Sequence, residues 1–230
     1  MIVKLTPNVT DVRPIALAAI EAGADALAAI NTVQCLAGVD LETLTPYPQV
    51  NGFSTFGGYS GAAVKPIGLR VVAQAAATTG APIHGLGGIR TWQDAVEYMA
   101  VGATVVQVCT EVMLRGFGIV RGLIQGLSEY MQRKGFESPA NLTGAALKRL
   151  SSHEAMSRTE RVVPEMAARE SCLLCGRCVT ACRDGGYGAL RIEDQAVAID
   201  TARCDGCSLC VLVCPAQALA MRERKPAQAE

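Results

Sequence analysis

The sequence is short of aromatic residues, has no excess of charge of either sign, and contains no long uninterrupted apolar run. Only 4% of its residues are Phe, Trp or Tyr, and 21 Lys and Arg balance 21 Asp and Glu. Nucleic-acid binding needs a basic face or aromatic stacking platforms, so that class of function is excluded. No stretch of about 18 apolar residues occurs, and MIVKLTPNVTDVRP at the N-terminus lacks a basic segment followed by an apolar one. A membrane span and a secretory leader are therefore not expected, and the chain reads as cytoplasmic. Half of the 230 residues are hydrophobic, enough to build a substantial core or two smaller ones.

Cysteine is the exception to this plainness. Ten are present, and eight fall between 172 and 214 as two copies of C-x2-C-x2-C-x3-C: Cys172, Cys175, Cys178, Cys182, then Cys204, Cys207, Cys210, Cys214. A disulfide framework does not suit a reducing compartment. Paired zinc sites usually separate their C-x2-C pairs by a longer loop, whereas each copy here packs three thiols within seven residues. The spacing is the two-cluster ferredoxin pattern, in which the fourth cysteine of each run ligates the other cluster. The expected sets are Cys172, Cys175, Cys178 with Cys214, and Cys204, Cys207, Cys210 with Cys182, each holding a [4Fe-4S] cluster. Between the copies, ALRIEDQAVAID reads as two short strands around a polar turn at Glu193 to Gln195. The first copy is followed by Arg183, where the second has Pro215.

The first 140 residues alternate strand and helix patterns. IVKLTPN (2 to 8) precedes the helical DVRPIALAAIEAG, and DALAAIN (25 to 31) is followed by a long loop over 32 to 65 and a helix over 66 to 80. A strand over 81 to 88 leads to a helix over 91 to 102, and a strand over 103 to 110 leads to a helix over about 117 to 134. Four such units predict a parallel sheet covered by helices, with chemistry at the carboxyl ends of its strands. Those ends carry Lys4, Asn31 and Thr32, Gly87 and Gly88, and Cys109 and Thr110. The glycines of FGGYSGAA free backbone N–H groups to face an anion at the next helix start.

VKLTPNVTD, INTV, TFGGYSGAAVKPIGLR, GLGGIR and VQVCTEVM, followed by the two cysteine runs, resemble the C-terminal portion of dihydropyrimidine dehydrogenases. The likeness is closest to the bacterial subunit with flavin and iron–sulfur clusters, and the barrel part is also similar to dihydroorotate dehydrogenases. The resemblance implies an α/β fold, the C-terminal half of a (β/α)8 barrel over 1 to 140. A linker over 141 to 168, a small α+β ferredoxin-type domain with two [4Fe-4S] clusters over 169 to 222 and a polar tail over 223 to 230 complete it. It implies FMN, with Lys4 at the isoalloxazine ring and Gly61, Gly87, Gly88, Cys109 and Thr110 at the ribityl phosphate. Asn31 and Thr32 are implied to face the pyrimidine, whose alternating donors and acceptors suit an amide.

The implied reaction reduces the C5–C6 double bond of uracil or thymine, with hydride from the flavin and a proton from a cysteine acid. Electrons are implied to come from a nicotinamide oxidised on a partner subunit that carries its own FAD and clusters. Only four β/α units are present, so a first half-barrel bearing the acid cysteine is expected in cis or in trans, the chain being a split product or truncated gene model. No catalytic residue is assigned within the chain. An electron-transfer protein on an inert barrel fragment is the alternative. Cys35 reads as a loop or core thiol, His84 as a strand-packing residue, Lys65 as solvated, Asp184 as a turn cap, and His153 as part of a linker.

Overall fold

The computed structural model describes residues 1–152, 155 and 162–224. His153 and residues 225–230 of the polar tail lie outside the described residues. The chain divides into two units, residues 1–151 and 152–230, and each is built around its own core.

The first unit rests on a four-stranded parallel sheet in the order β1-β2-β3-β4: β1 Ile2–Leu5, β2 Ala26–Ala29, β3 Ile83–Leu86 and β4 Val105–Gln107. The register pairs Ile2 with Ala26, Leu27 with Ile83, and His84 with Val105. The unbroken apolar run of β2 is buried at every position, as a strand covered on both faces requires. Helices α1 Arg13–Glu21, α2 Lys65–Thr79 and α3 Trp92–Ala100 follow the first three strands, and α4 Thr110–Arg115 and α5 Ile119–Lys134 follow the fourth. Leu5, Leu27, Val71, Val72, Ile83 and Tyr98 fill the core. Each such side chain contributes about 1.5–3 kcal/mol by leaving water.

Local chemistry sets the helix limits. Pro14 occupies the first turn of α1, where its missing N–H costs nothing. Thr91 caps α3 in a box with Asp94: the Thr91 hydroxyl accepts from the Asp94 N–H, and Asp94 accepts from the Thr91 N–H at 2.9 Å. Helix α5 docks on α3 with the Trp92 and Tyr130 rings 5.7 Å apart. Two details differ from the sequence expectation. The stretch 32 to 65 is not a bare loop; Val33–Cys35 pairs with Gly57–Tyr59, and Gly38–Asp40 with Thr45–Tyr47, all antiparallel. Its three-residue strands are too short to show a period. The fourth strand stops at Gln107, and Thr110, read as strand, opens α4 with Cys109 just before it.

The second unit pairs β5 Val162–Met166 with β8 Leu219–Glu223, antiparallel, and folds β6 Leu190–Glu193 against β7 Ala196–Ile199 as a hairpin. Asp194 and Gln195 at the hairpin tip have φ of 47° and 55°, the two left-handed residues of a two-residue turn whose twist matches the strands. Helices α6 Arg177–Asp184 and α7 Leu209–Leu212 carry cysteines inward, and Cys178, Cys182, Cys204 and Cys210 pack with Val163, Leu190, Val197 and Leu219. Among the described residues no helix is long and apolar enough to cross a membrane.

Candidate cofactor cavity and cysteine quartets

A cavity of about 310 Å³ opens at the carboxyl ends of β1 to β4, within the size range of small-molecule sites. Lys4, Asn31, Thr32, Gly61, Gly87, Gly88, Cys109 and Thr110 all line it, so one concave surface unites residues up to 106 positions apart. The parallel register does this: every strand ends at the same edge of the sheet. The antiparallel excursion over 33 to 59 then folds the chain back, and Ser60 meets Thr110 at 3.2 Å between hydroxyl oxygens.

The Gly87-Gly88 turn has no room for side chains. Gly88 has φ of +76°, and a Cβ there would stand 2.8 Å from the Gly61 carbonyl oxygen and 2.9 Å from the Lys65 nitrogen. Backbone from the end of β3 thus lies directly against the start of α2, a close convergence of main chain of the kind that cradles a phosphate. Tyr98, fully buried, supports the turn from beneath: its hydroxyl donates to the Gly87 carbonyl at 2.7 Å. Burial raises the phenol's pKa and keeps it protonated as a donor.

Three positions not singled out in the sequence complete the site. Asn8 clamps the segment after β2, donating from Nδ2 to the Thr32 carbonyl at 3.0 Å and accepting the Gln34 N–H at 2.8 Å. Arg90 lines the cavity and pairs with Glu111 at 3.3 Å. Glu111 is only 4% exposed, and its other oxygen lies 2.6 Å from Arg115 Nε without hydrogen-bond geometry. Arg90 follows Gly87-Gly88 by two residues and was within reach of the GLGGIR motif. Asn8 depends on contacts across 24 and 26 residues and leaves no local signal.

Lys65 corrects the sequence reading. It is not a solvated cation: its Nζ lies 2.6 Å from Asp94 and 2.9 Å from Glu97, joining the start of α2 to the first two turns of α3. The hydrogen bond to Asp94 is the largest influence raising its pKa. His84 is half-exposed on β3, with Nδ1 3.0 Å from Gln107 Nε2, and does not line the cavity. Cys35 sits opposite Gly57 in the excursion, also outside the cavity lining.

In the second unit the eight thiols gather into two quartets. Cys172, Cys175, Cys178 and Cys214 line one pocket, and Cys182, Cys204, Cys207 and Cys210 line another. The fourth cysteine of each run therefore lies with the other run's first three. Among the described residues no three Cys, His, Asp or Glu side chains converge closely enough for a single metal ion. Three cysteines from one run and the fourth of the other suit a polynuclear centre with one thiolate at each corner. Backbone amides already point at sulfur: Ala189 N to Cys182 at 3.2 Å, Gly206 N to Cys204 at 3.4 Å, and Ala218 N to Cys214 at 3.3 Å. Burial raises the Cys178 thiol and pushes Cys210 to about 11.

The two runs also share backbone shape. The residue before the second cysteine is left-handed in both, Leu174 at φ 50° and Gly206 at 78°, and so is the residue after it, Gly176 at 73° and Ser208 at 59°. Glycine stands at only one of the two positions in each run. Leu174 and Ser208 hold a conformation that costs a side-chain-bearing residue about 1 kcal/mol or more.

The family profile described as dihydroorotate dehydrogenase matches residues 1–131, more than half of the chain. The chain belongs to the dihydroorotate dehydrogenase family. A second profile, the 4Fe-4S dicluster domain, matches residues 166–221 of this dehydrogenase-family chain. The NAD-dependent dihydropyrimidine dehydrogenase subunit PreA of Escherichia coli (strain K12) is 40% identical over 98% of this chain and 56% of its own length. The catalytic subunit of dihydroorotate dehydrogenase B (NAD(+)) from Pyrococcus abyssi is 47% identical over 64% of this chain and 48% of its own. The chloroplastic dihydropyrimidine dehydrogenase (NADP(+)) of Arabidopsis thaliana is 35% identical over 73% of this chain and 41% of its own. The chain thus spans about half the length of these relatives.

Proposed function

We propose that this chain is the C-terminal part of an NAD(P)H-dependent dihydropyrimidine dehydrogenase subunit that reduces the C5–C6 double bond of uracil or thymine. The observation that carries the reading is a strand-tip cavity with a close glycine cradle in the same chain as two cysteine quartets. FMN, when bound, supplies hydride transfer and the exchange between one-electron and two-electron chemistry.

The chain's own residues have distinct tasks in this proposal. Gly61, Gly87, Gly88, Cys109 and Thr110 hold the ribityl phosphate, and Lys4 sets a positive charge beside the isoalloxazine ring. Asn31 and Thr32 orient the pyrimidine, held in place by Asn8. Cys109 belongs to the phosphate set, so the proton donor to the substrate comes from a first half-barrel supplied in cis or in trans. The quartets hold two [4Fe-4S] clusters through which electrons arrive from a nicotinamide-oxidising partner subunit with its own FAD.

A second reading, an electron-transfer protein on an inactive barrel fragment, draws support from the sheet itself, in which, among the described residues, β1 and β4 each have one unpaired edge. Reconstituted chain distinguishes the two. Both readings require about eight iron and eight sulfide per chain. Stoichiometric FMN retained through gel filtration supports the dehydrogenase; clusters without FMN support the electron carrier.

A further inference from the structure

Gly87-Gly88 and Cys109-Thr110 reach the cavity from the ends of β3 and β4, and the residues just beyond them meet in an ion pair. Arg90 follows Gly88 by two positions and Glu111 follows Thr110 by one; both line the cavity, with Arg90 Nε 3.3 Å from Glu111 Oε2. The Arg90 side chain is 46% exposed and that of Glu111 only 4%. A carboxylate buried in the wall of an anion cavity is costly, and standing alone it would repel the anion. Glu111 does not stand alone: Arg115 Nε lies 2.6 Å from its Oε1, an oxygen that accepts no hydrogen bond among the described residues. Two guanidinium groups thus share one carboxylate, and the trio carries one positive charge in excess. Lys65, Asp94 and Glu97 pair with one another outside the cavity lining, which leaves Lys4 as its other charged residue.

Resting on the FMN reading above, we propose that Arg90 binds the ribityl phosphate through its guanidinium and that Glu111 is the positioning residue holding it there. A phosphate monoester carries about 1.5 to 2 negative charges near neutrality, and the glycines of the cradle offer it uncharged main chain alone. An arginine engaged at Nε keeps N–H donors on its outer nitrogens, and the guanidinium fork matches phosphate oxygens. The base of the side chain is fixed, since the Arg90 main-chain N–H donates to Asp94 Oδ2 at 2.9 Å. Burial of Glu111 holds the other end of the pair in the cavity wall, so Arg90 is kept at the cavity and not extended into water. The unpaired charge of the trio therefore faces the space where the phosphate-binding glycines converge.

The test is flavin binding to the full chain, followed by flavin fluorescence, with FMN compared against riboflavin because the two differ only in the phosphate. The parent should prefer FMN. R90Q should weaken FMN binding about 10- to 100-fold and leave riboflavin within about twofold; R90K, which keeps the charge without the fork, should fall between. E111Q should narrow the preference in the same direction, whereas a wider preference would overturn the role of Glu111. Added salt should weaken FMN binding more in the parent than in R90Q. An FMN preference unchanged in R90Q would overturn the inference and leave the FMN reading intact, as would equal losses of both flavins, the mark of a merely structural tie. A parent that binds neither flavin would instead remove the FMN reading and the inference with it. If R90Q fails to fold, R90K decides, and the parent's preference retained there would count against the proposal.

Discussion

At the scale of single residues, the site depends on side chains that touch backbone. Tyr98 is the clearest case, because its hydroxyl bonds the carbonyl of Gly87 while its ring lies against Gly85. Tyr98→Phe keeps the ring and strands a carbonyl, a loss of about 1–2 kcal/mol. Thermal unfolding should register that loss, and FMN affinity followed by flavin fluorescence should fall about tenfold as the cradle slackens. Unchanged FMN affinity would separate Tyr98 from the cradle. Gly88→Ala is expected to be harsher, since the added methyl meets main chain of both Gly61 and Lys65 in a left-handed conformation; FMN should no longer co-purify while the iron content stays at its parent value. Cys214→Ser should damage the centre of Cys172, Cys175 and Cys178. Selective loss at Cys204, Cys207 and Cys210 would contradict the crossed ligand sets.

Between elements, the tie of Lys65 to Asp94 fixes α2 against α3. Burial pushes the Asp94 carboxyl upward, but hydrogen bonds from Lys65 and the amides of Arg90 and Thr91 outweigh it, and the net shift is downward. Its contribution is full above the usual carboxylate range and is lost as pH falls through its lowered value. Lys65 is raised, so its contribution is full at neutral pH and is lost as pH rises through the raised value. Asp94→Asn should therefore cost about 1–3 kcal/mol near neutrality, and the difference from the parent should shrink below the ordinary carboxylate range. Chemical denaturation across pH checks both the size and the sign.

The same tie shows where sequence reading ends. Strand tips and cysteine runs were legible because their signals are local: a period, a glycine pair, a spacing repeated once. The partners of Lys65 lie 29 and 32 residues away on another helix, and the clamp by Asn8 crosses to a segment that follows a different strand. The left-handed backbone at Leu174 and Ser208 was hidden because neither is glycine. The short antiparallel pairs over 33 to 59 were hidden because three residues cannot display an alternation.

For the molecule as a whole, two cores imply two ways of coming apart. The core of the second unit is made in good part of cysteine, with Cys178, Cys182, Cys204 and Cys210 among its buried members. Burial keeps Cys178 and Cys210 protonated, and ligation takes those protons away and ties the two runs together, so cluster binding and folding should be coupled there. Removing iron with a chelator under reducing conditions should abolish the thermal transition of residues 162–224 and leave that of residues 1–151 in place; a single transition that survives intact would contradict this. The excursion between β2 and α2 has a consequence of its own. Leu41, Leu44, Val50 and Phe53 stand at least 75% exposed on it, while both of its ends are anchored at the strand tips. A protease that nicks the segment around Thr43 would sever the polypeptide but leave Asn31 and Gly61 seated, so the cut pieces should migrate together until denatured.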